Sequence, residues 1–246
     1  MRCQPRYEGP VYIWLKNKQF CLLCSEEADE NTPICIACET ELPWLGDQCR
    51  TCALPLPSTG LTCGQCLNQP PAFEQVAVPW TYSFPVDMLI TRFKHSAKWP
   101  FGHLLAELLA QFLQHRFDED LTRPDALVPV PLASRRLRQR GFNQAVMLAR
   151  WLGTRLDLPC DERLLLRVQD TSAQQDLTAD ARKKNLRNAF ALVPDASIKG
   201  RHLALVDDVL TTGATAQALA RLLMDAGAAR VDVYCLARTP KPGDTA

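Results

Sequence analysis

Two adjacent carboxylates and a loop rich in hydroxyl groups lie within one stretch near the C-terminal end, HLALVDDVLTTGAT at residues 202–215. Backbone N–H groups at the start of a helix, hydroxyl donors and a glycine that permits close approach together form a phosphate-binding loop. Carboxylates repel phosphate, so Asp207 and Asp208 need another partner, and the vicinal hydroxyls of a ribose are natural donors to them. The chemistry of this stretch therefore predicts a ligand that carries a ribose 5-phosphate group.

The residues around this loop predict the elements that hold it. The apolar run Leu203 to Val206 is typical of a strand buried on both faces. A helix with one apolar face follows the loop, and Gly227 is placed to end it. The alternative is an ordinary strand-turn-helix corner that exposes an acidic pair.

The same stretch resembles the loop with which type I phosphoribosyltransferases bind phosphoribosyl pyrophosphate (PRPP). The resemblance implies that Asp207 and Asp208 take the ribose 2- and 3-hydroxyls. It also implies that the 5-phosphate is bound by Thr211, Thr212, Gly213, Ala214 and Thr215.

Eight of the eleven cysteines form four C-x-x-C pairs, each separated from the next by ten residues: Cys21/Cys24, Cys35/Cys38, Cys49/Cys52 and Cys63/Cys66. Two such knuckles supply the four thiolates that complete a tetrahedral zinc site. Disulfides do not need this regularity, and redox activity of one pair is the weaker alternative. We expect two structural Zn²⁺ ions. Neighbouring knuckles share an ion in two tandem zinc ribbons, or the first pair joins the third in a cross-braced arrangement.

Two further segments carry candidate ligand-binding residues. ALVPVPL at residues 126–132 predicts a buried strand, and the following turn contains four guanidinium groups that suit a pyrophosphate. The residues assigned to this pyrophosphate turn are Val130, Pro131, Arg135, Arg136, Arg138 and Arg140. The alternative for the arginines is a solvated basic face at a helix start. The polar segment 170–190 is long for a connection between strands, which favours a mobile lid.

Strands and helices alternate from residue 124, which predicts an α/β fold with a parallel, doubly wound sheet. NQPPAF at 68–73 marks a boundary, giving a zinc-binding module over 1–71, with its ribbons at 21–66, and a second domain over 72–246. The module has five Lys and Arg against eight Asp and Glu, whereas the second domain has 23 against 19. Any polyphosphate backbone should therefore contact the second domain.

Two amphipathic helices are expected before this alternating region. One carries Val86, Leu89, Ile90 and Phe93, and the other runs from Phe101 to Phe112. Lys94, His95 and Lys98 follow the first face. They are interpreted mainly as cations that stabilise a helix C-terminus, with catalysis as the alternative.

The overall composition excludes some classes of protein. A net charge of +1 gives no global field for nucleic acid. No secretory signal pattern and no membrane-spanning run is recognisable, so we expect a cytoplasmic protein without membrane insertion. Outside the knuckles, Cys235 lies in an apolar run and is expected to be buried.

These motifs in this order resemble the ComF family of bacterial competence and DNA-utilisation proteins. The matching features are the four knuckles, VPVPL, RRLRQRGFNQ, LVDDVLTTGAT and, in the lid segment, Thr171, Gln174, Leu177, Arg182, Asn185, Ala189 and Phe190. The resemblance implies a phosphoribosyltransferase-type domain behind a zinc module. It also implies PRPP with Mg²⁺, single-stranded DNA, and protein partners in DNA uptake.

Two departures bear on these expectations. Ala53 follows Cys52 where the family commonly has glycine, which adds strain to that knuckle. Thr211 stands where 6-oxopurine phosphoribosyltransferases have an acid, so no general base is identified and the catalytic residues are unknown. A PRPP-binding protein that handles incoming single-stranded DNA is the first hypothesis. An active phosphoribosyltransferase and a PRPP sensor without turnover are the alternatives.

Overall fold

The computed structural model describes residues 19–28, 32–58, 60–96, 98–169 and 188–240. The chain divides into two compact units, residues 1–41 and 42–246. In the first unit, Phe20 and Glu27 form an antiparallel bridge, and helix α1 spans Ile36–Thr40. The domain boundary at residue 71 stays a prediction. The compact unit that begins at Leu42 holds the third and fourth knuckles together with all that follows them.

The second unit is built from helices and strands in an order close to the predicted one. Its helices are α2 (Gly64–Asn68), α3 (Val86–Ser96), α4 (Trp99–Glu119), α5 (Ser134–Arg140), α6 (Gln144–Leu156) and α7 (Ala214–Asp225). Its strands are β1 (Val76–Ala77), β2 (Trp80–Thr81), β3 (Ala126–Pro129), β4 (Leu165–Arg167), β5 (Phe190–Leu192), β6 (His202–Leu210) and β7 (Arg230–Arg238). The predicted amphipathic helices are confirmed as α3 and α4.

A parallel sheet forms the centre of this unit, with strand order β1-β7-β6-β3 and β2 also paired with β7. In the register of β3, β6 and β7, Val206 lies between Pro129 of β3 and Tyr234 of β7. Leu203 to Val206 have no exposed surface because helices cover both faces of the sheet. The predicted α/β fold class is confirmed.

Alternate residues of β6 and β7 point to opposite faces of the sheet. Val233 and Cys235 belong to the apolar cluster that includes Leu219 and Leu223 of α7. Tyr234 points the other way, where its ring centroid lies 6.3 Å from that of Phe117 in α4. Parallel pairing places the C-terminal ends of β3, β6 and β7 at one edge of the sheet, and burial on both faces holds the strands in this arrangement.

Strands β4 and β5 differ from the prediction. The alternating pattern from residue 124 predicts one parallel sheet, but these two strands pair antiparallel with each other in a separate two-stranded sheet. Leu165 is buried whereas Leu166 is 42% exposed, so only one face of this sheet is covered. That pattern suits antiparallel pairing, whereas strands of a parallel sheet need both faces covered.

None of the helices in the described ranges combines the length and the apolar character that crossing a membrane requires.

Candidate functional site

The acidic pair lies inside strand β6 rather than after it, because pairing with β7 continues to Leu210. The Asp208 amide donates to Asp207 Oδ1 at 2.9 Å, and the Val209 amide donates to Asp208 Oδ1 at 2.8 Å. Each carboxyl group is therefore held by the next backbone amide. Both lie at the C-terminal end of the sheet, where parallel sheets bind ligands.

Lys94 of α3 forms an ion pair with this acidic pair. Its Nζ lies 2.6 Å from Asp208 Oδ2, and the two side chains are only 19% and 7% exposed. Within the described residues, Asp208 Oδ2 accepts no hydrogen bond of regular geometry, so the Lys94 ammonium is what offsets its charge. Lys94 thus lies in the last turn of α3, as predicted, and in addition pairs with a carboxylate that the sequence did not indicate.

Burial and charge shift the pKa values in this cluster. Burial is the main cause that lowers the pKa of Lys94 to about 8; Asp207 opposes the shift, and Arg140 and Arg136 contribute to it. Burial raises the pKa of Asp207 to about 7, against the attraction of Lys94 and Arg140. Three cations from α3 and α5 and the two carboxyl groups thus form one electrostatic cluster, typical of ligand-binding sites.

The loop between β6 and α7 has the shape that the sequence predicted. Gly213 has φ +75°, in the left-handed region, and caps the N-terminus of α7. The Ala214 amide donates to Thr212 Oγ1 at 3.4 Å, and the first intrahelical bond joins the Gln217 amide to the Gly213 carbonyl at 2.8 Å. The first-turn N–H groups of α7 therefore point out of the helix beside exposed Thr211 and Thr212.

The basic segment is a helix and not the turn that the sequence predicted. Arg135, Arg136, Arg138 and Arg140 all lie in α5, while the turn after β3 is the shorter stretch around Val130 and Pro131. Asn143 Nδ2 donates to the Val130 carbonyl at 3.0 Å, and the Val130 amide donates to the Val206 carbonyl at 2.9 Å. These bonds join the turn to strand β6.

The arginines of α5 differ in environment. Arg135, Arg136 and Arg138 are exposed, whereas Arg140 is partly buried and donates to Gln144 Oε1. The predicted lid residues Thr171, Gln174, Arg182 and Asn185 lie outside the described residues, as do Lys183 and Lys184.

The cysteine knuckles form two separate four-thiol clusters, Cys21/Cys24/Cys35/Cys38 and Cys49/Cys52/Cys63/Cys66. Cys24 and Cys35 Sγ lie 3.6 Å apart, and Cys52 and Cys63 Sγ lie 3.7 Å apart. Four ligands at ~2.3 Å from one Zn²⁺ in a tetrahedron lie ~3.8 Å from each other, so both clusters fit zinc. Neighbouring knuckles therefore pair, and the cross-braced alternative is wrong.

The knuckle strain that Ala53 predicted is present. Ala53 has φ +52°, and Ser25 has φ +67° at the equivalent position of the first knuckle. The Ala53 amide donates to the Cys49 carbonyl at 2.9 Å, and the Cys63 amide donates to Cys49 Sγ at 3.3 Å. Amide donors of this kind stabilise the thiolates that a metal needs.

Cys235 lies outside both clusters and is fully buried, as predicted. Burial raises the pKa of its thiol. It sits opposite Asp207 in the register of β6 and β7, so a neutral thiol faces that carboxyl group.

Comparisons with known proteins agree with this architecture. The phosphoribosyl transferase domain matches residues 104–244, and the double zinc ribbon domain matches residues 18–67. Fold and site thus define a phosphoribosyltransferase-type domain behind a double zinc ribbon.

Proteins with similar sequences identify the family within this class. The DNA utilization protein YhgH of Salmonella typhi is 40% identical over 174 residues, which cover 70% of this chain and 76% of that protein. Competence protein F of Haemophilus influenzae is 37% identical with the same coverage. The chain belongs to the ComF family of competence and DNA-utilisation proteins. Among solved structures, a glutamine PRPP amidotransferase from B. subtilis is 19% identical over 55% of this chain and 25% of that one, with a TM-score of 0.37.

Two residues of the site were missed by the sequence reasoning. The sequence indicates Lys94 as a cation at the end of an amphipathic helix face, which is consistent with a buried cation. It does not indicate that Lys94 contacts Asp208. Arg238, the last residue of β7, was not singled out at all. It is 6% exposed, and its side chain donates to carbonyl groups at the start of the loop between β6 and α7. An arginine that directly ends a buried apolar strand was the available signal.

Proposed function

We propose that the protein binds PRPP, or a related phosphoribosyl ligand, at the C-terminal end of its parallel sheet. The observation that supports this most is the arrangement of two carboxyl groups, a helix N-terminus and a cation cluster around one edge. The ribose hydroxyls donate to Asp207 and Asp208, while the 5-phosphate accepts from the N–H groups and hydroxyls of residues 211–215.

The diphosphate of this ligand extends toward the turn at Val130 and Pro131, where the cations of α3 and α5 offset its charge. Burial lowers the pKa of Lys94, and Arg140 and Arg136 are close enough to add to that lowering. Carboxylate and phosphate oxygens are the ligands that Mg²⁺ prefers, so Asp207, Asp208 and the diphosphate would hold this ion. When bound, Mg²⁺ neutralises part of the diphosphate charge.

The biological role we propose is the handling or utilisation of incoming single-stranded DNA in the cytoplasm. The names of the relatives, competence protein F and DNA utilization protein YhgH, favour it. Arg135, Arg136 and Arg138 form an exposed cationic face on α5, whereas the zinc module carries excess negative charge. DNA would therefore bind along the surface of the phosphoribosyltransferase-type domain. The first zinc ribbon would contact proteins of the uptake machinery.

The experiment that tests ligand binding is a thermal unfolding series with PRPP and Mg²⁺. A ligand that binds only the folded state stabilises it by about 2.7 kcal/mol at a hundredfold excess over Kd, so Tm should rise. Asp207→Ala and Asp208→Ala should abolish the rise with PRPP, yet retain weak stabilisation by inorganic phosphate. The proposal fails if millimolar PRPP leaves the wild-type Tm unchanged, or if the rise survives loss of both carboxyl groups.

Turnover separates the enzyme from the two hypotheses without transfer, a binding protein and a PRPP sensor. Thr211 occupies the position of an acid in some phosphoribosyltransferases, which favours binding without transfer of the ribose phosphate. Pyrophosphate release from PRPP, measured with and without single-stranded DNA or free bases, decides between an enzyme and a sensor.

A further inference from the structure

Arg238 connects the second zinc cluster to the phosphate loop. Its Nε donates to the Cys52 carbonyl at 2.9 Å. Its Nη1 donates to the carbonyls of Leu210 at 3.0 Å and Thr239 at 2.9 Å, and also to that of Thr211. One buried guanidinium thus contacts a zinc knuckle and the end of strand β6 at the same time.

The geometry of the guanidinium makes this connection stiff. Its N–H groups lie in one plane with fixed directions, so the bonds from Nε and Nη1 fix the Cys52 carbonyl relative to residues 210 and 211. The Thr239 amide also donates to the Leu210 carbonyl at 3.1 Å. Leu210 and Thr211 are the residues at which strand β6 passes into the loop that ends at Gly213.

The other end of the connection is set by the metal site. Cys52 is one of the four thiols of the second cluster, and the adjacent Ala53 is fully buried in the same apolar cluster as Val233 and Leu210. The left-handed turn at Ala53 directs the preceding Cys52 carbonyl toward Arg238. Zinc bound by Cys49, Cys52, Cys63 and Cys66 would hold this turn closed, because the four thiolates share one ion.

We propose that the second zinc ribbon is part of the phosphate-binding site, and that Arg238 is the positioning residue through which the ribbon sets the shape of residues 210–213. The identity of the ligand rests on the function proposed above, whereas the connection itself does not. Loss of zinc from the second cluster frees the Cys52 carbonyl, leaves a buried donor of Arg238 without its acceptor, and loosens the loop.

The test compares four variants of the full-length protein. Arg238→Lys keeps the charge but cannot bond Cys52 and Leu210 together with one compact ammonium group, and Cys63→Ser removes a ligand of the second cluster. Arg230→Lys and Cys35→Ser are the matched controls. Arg230 lies at the other end of β7, where its Nε donates to Asp232 Oδ1 at 3.0 Å, and Cys35 belongs to the first cluster.

Hydrogen exchange of peptides covering residues 207–217 measures how often the loop opens in the absence of any ligand. We expect exchange about tenfold faster in Arg238→Lys and Cys63→Ser, the change in local opening that loss of one charged hydrogen bond produces. Both controls should match wild type, and Arg238→Lys should retain both zinc ions by elemental analysis. Equal exchange in all five proteins overturns the proposal. Faster exchange in Cys63→Ser alone overturns the role of Arg238.

Calorimetry with PRPP and Mg²⁺ adds the ligand. Kd should rise about tenfold in Arg238→Lys and in Cys63→Ser, and stay at the wild-type value in the controls. If wild type binds PRPP and both test variants bind it with the wild-type Kd, the inference is wrong and the proposed function stands. If wild type does not bind PRPP, the proposed function is wrong, and the exchange data still decide whether the ribbon sets the loop.

Discussion

Lys94 Nζ lies 2.6 Å from Asp208 Oδ2, although one residue belongs to helix α3 and the other to the far end of the chain in strand β6. The Lys94 ammonium offsets the charge of Asp208, and Arg140 and Arg136 of α5 interact with it electrostatically. Three segments that are distant in sequence, around Lys94, Asp208 and Arg140, thus form one electrostatic cluster.

The ion pair of Lys94 should contribute to stability. Replacing one partner of a buried pair leaves the other without compensation, at a cost of about 3–5 kcal/mol when both are fully buried. Because Lys94 is 19% exposed, we expect Lys94→Met to lower the free energy of unfolding by roughly 2 kcal/mol. Urea unfolding at pH 7.5 measures this. Lys98→Met, at an exposed position, should change it by under about 0.5 kcal/mol, and Asp208→Asn should restore part of the loss in the double variant.

The raised pKa of Asp207 predicts that stability falls with rising pH. Between about pH 4 and 7 the folded state binds a proton at Asp207 that the unfolded chain has released, so the free energy of unfolding decreases as pH rises through this window. We expect a decrease of roughly 2 kcal/mol that Asp207→Asn removes. Urea titrations between pH 5.5 and 7.5 measure it, and parallel curves for the two proteins would contradict the assignment.

The lowered pKa of Lys94 gives the opposite slope at higher pH. Between about pH 8 and 10.5 the unfolded chain binds the proton that Lys94 has lost, so this residue makes stability rise with pH. Besides Asp208, the charged groups that act on Lys94 are Asp207, Arg140 and Arg136. Lys94→Met should flatten the slope in this range while leaving the lower window in place.

Zinc should be present at two ions per chain. Because neighbouring knuckles form separate clusters, Cys35→Ser and Cys63→Ser should each remove one ion and leave the other bound. Elemental analysis of reduced protein gives the stoichiometry. Loss of both ions from either single variant would indicate a shared site and contradict the tandem arrangement.

Gly213 is required by its backbone conformation. A Cβ at this position would meet no other atom within 4 Å, so crowding by the protein does not explain the glycine. At φ +75° an alanine costs about 1–2 kcal/mol. Gly213→Ala should therefore lower stability by about that amount and also weaken binding of PRPP. Gly200→Ala is the matched control, because Gly200 has φ +74° and equally open surroundings. It should lower stability alike without changing Kd.

Single-stranded DNA should bind through the exposed face of α5. Each phosphate contact contributes about 0.7 to the slope of log K against log salt concentration, so Arg135→Gln, Arg136→Gln and Arg138→Gln should each reduce the slope by about that much. Fluorescence anisotropy of a labelled oligonucleotide across a salt series measures it. Arg221→Gln, an exposed arginine on α7, is the control, and equal slopes for all variants would place the DNA path elsewhere.

The spacing of residues in the sequence was sufficient to predict those sites whose residues are close together in the sequence. The four knuckles defined zinc sites because two thiolates at C-x-x-C spacing reach one ion without help from the rest of the chain. The acidic pair and the loop at 211–215 predicted a phosphoribosyl site, which stays a proposal, because strand, turn and helix follow each other directly in the sequence. Periodicity predicted α3, α4 and the buried strands, since burial repeats every 3.6 or 2 residues.

Tertiary structure decided everything that joins distant segments. Periodicity could not tell that β4 and β5 leave the parallel sheet, because a short apolar run has the same pattern in both pairings. Nor does any local signal place Lys94 against Asp208, or Arg238 between Cys52 and Leu210. Those contacts depend on how α3, β7 and the second ribbon pack around one edge of the sheet. A buried cation must be paired, so it contacts whichever acceptors this packing brings near it.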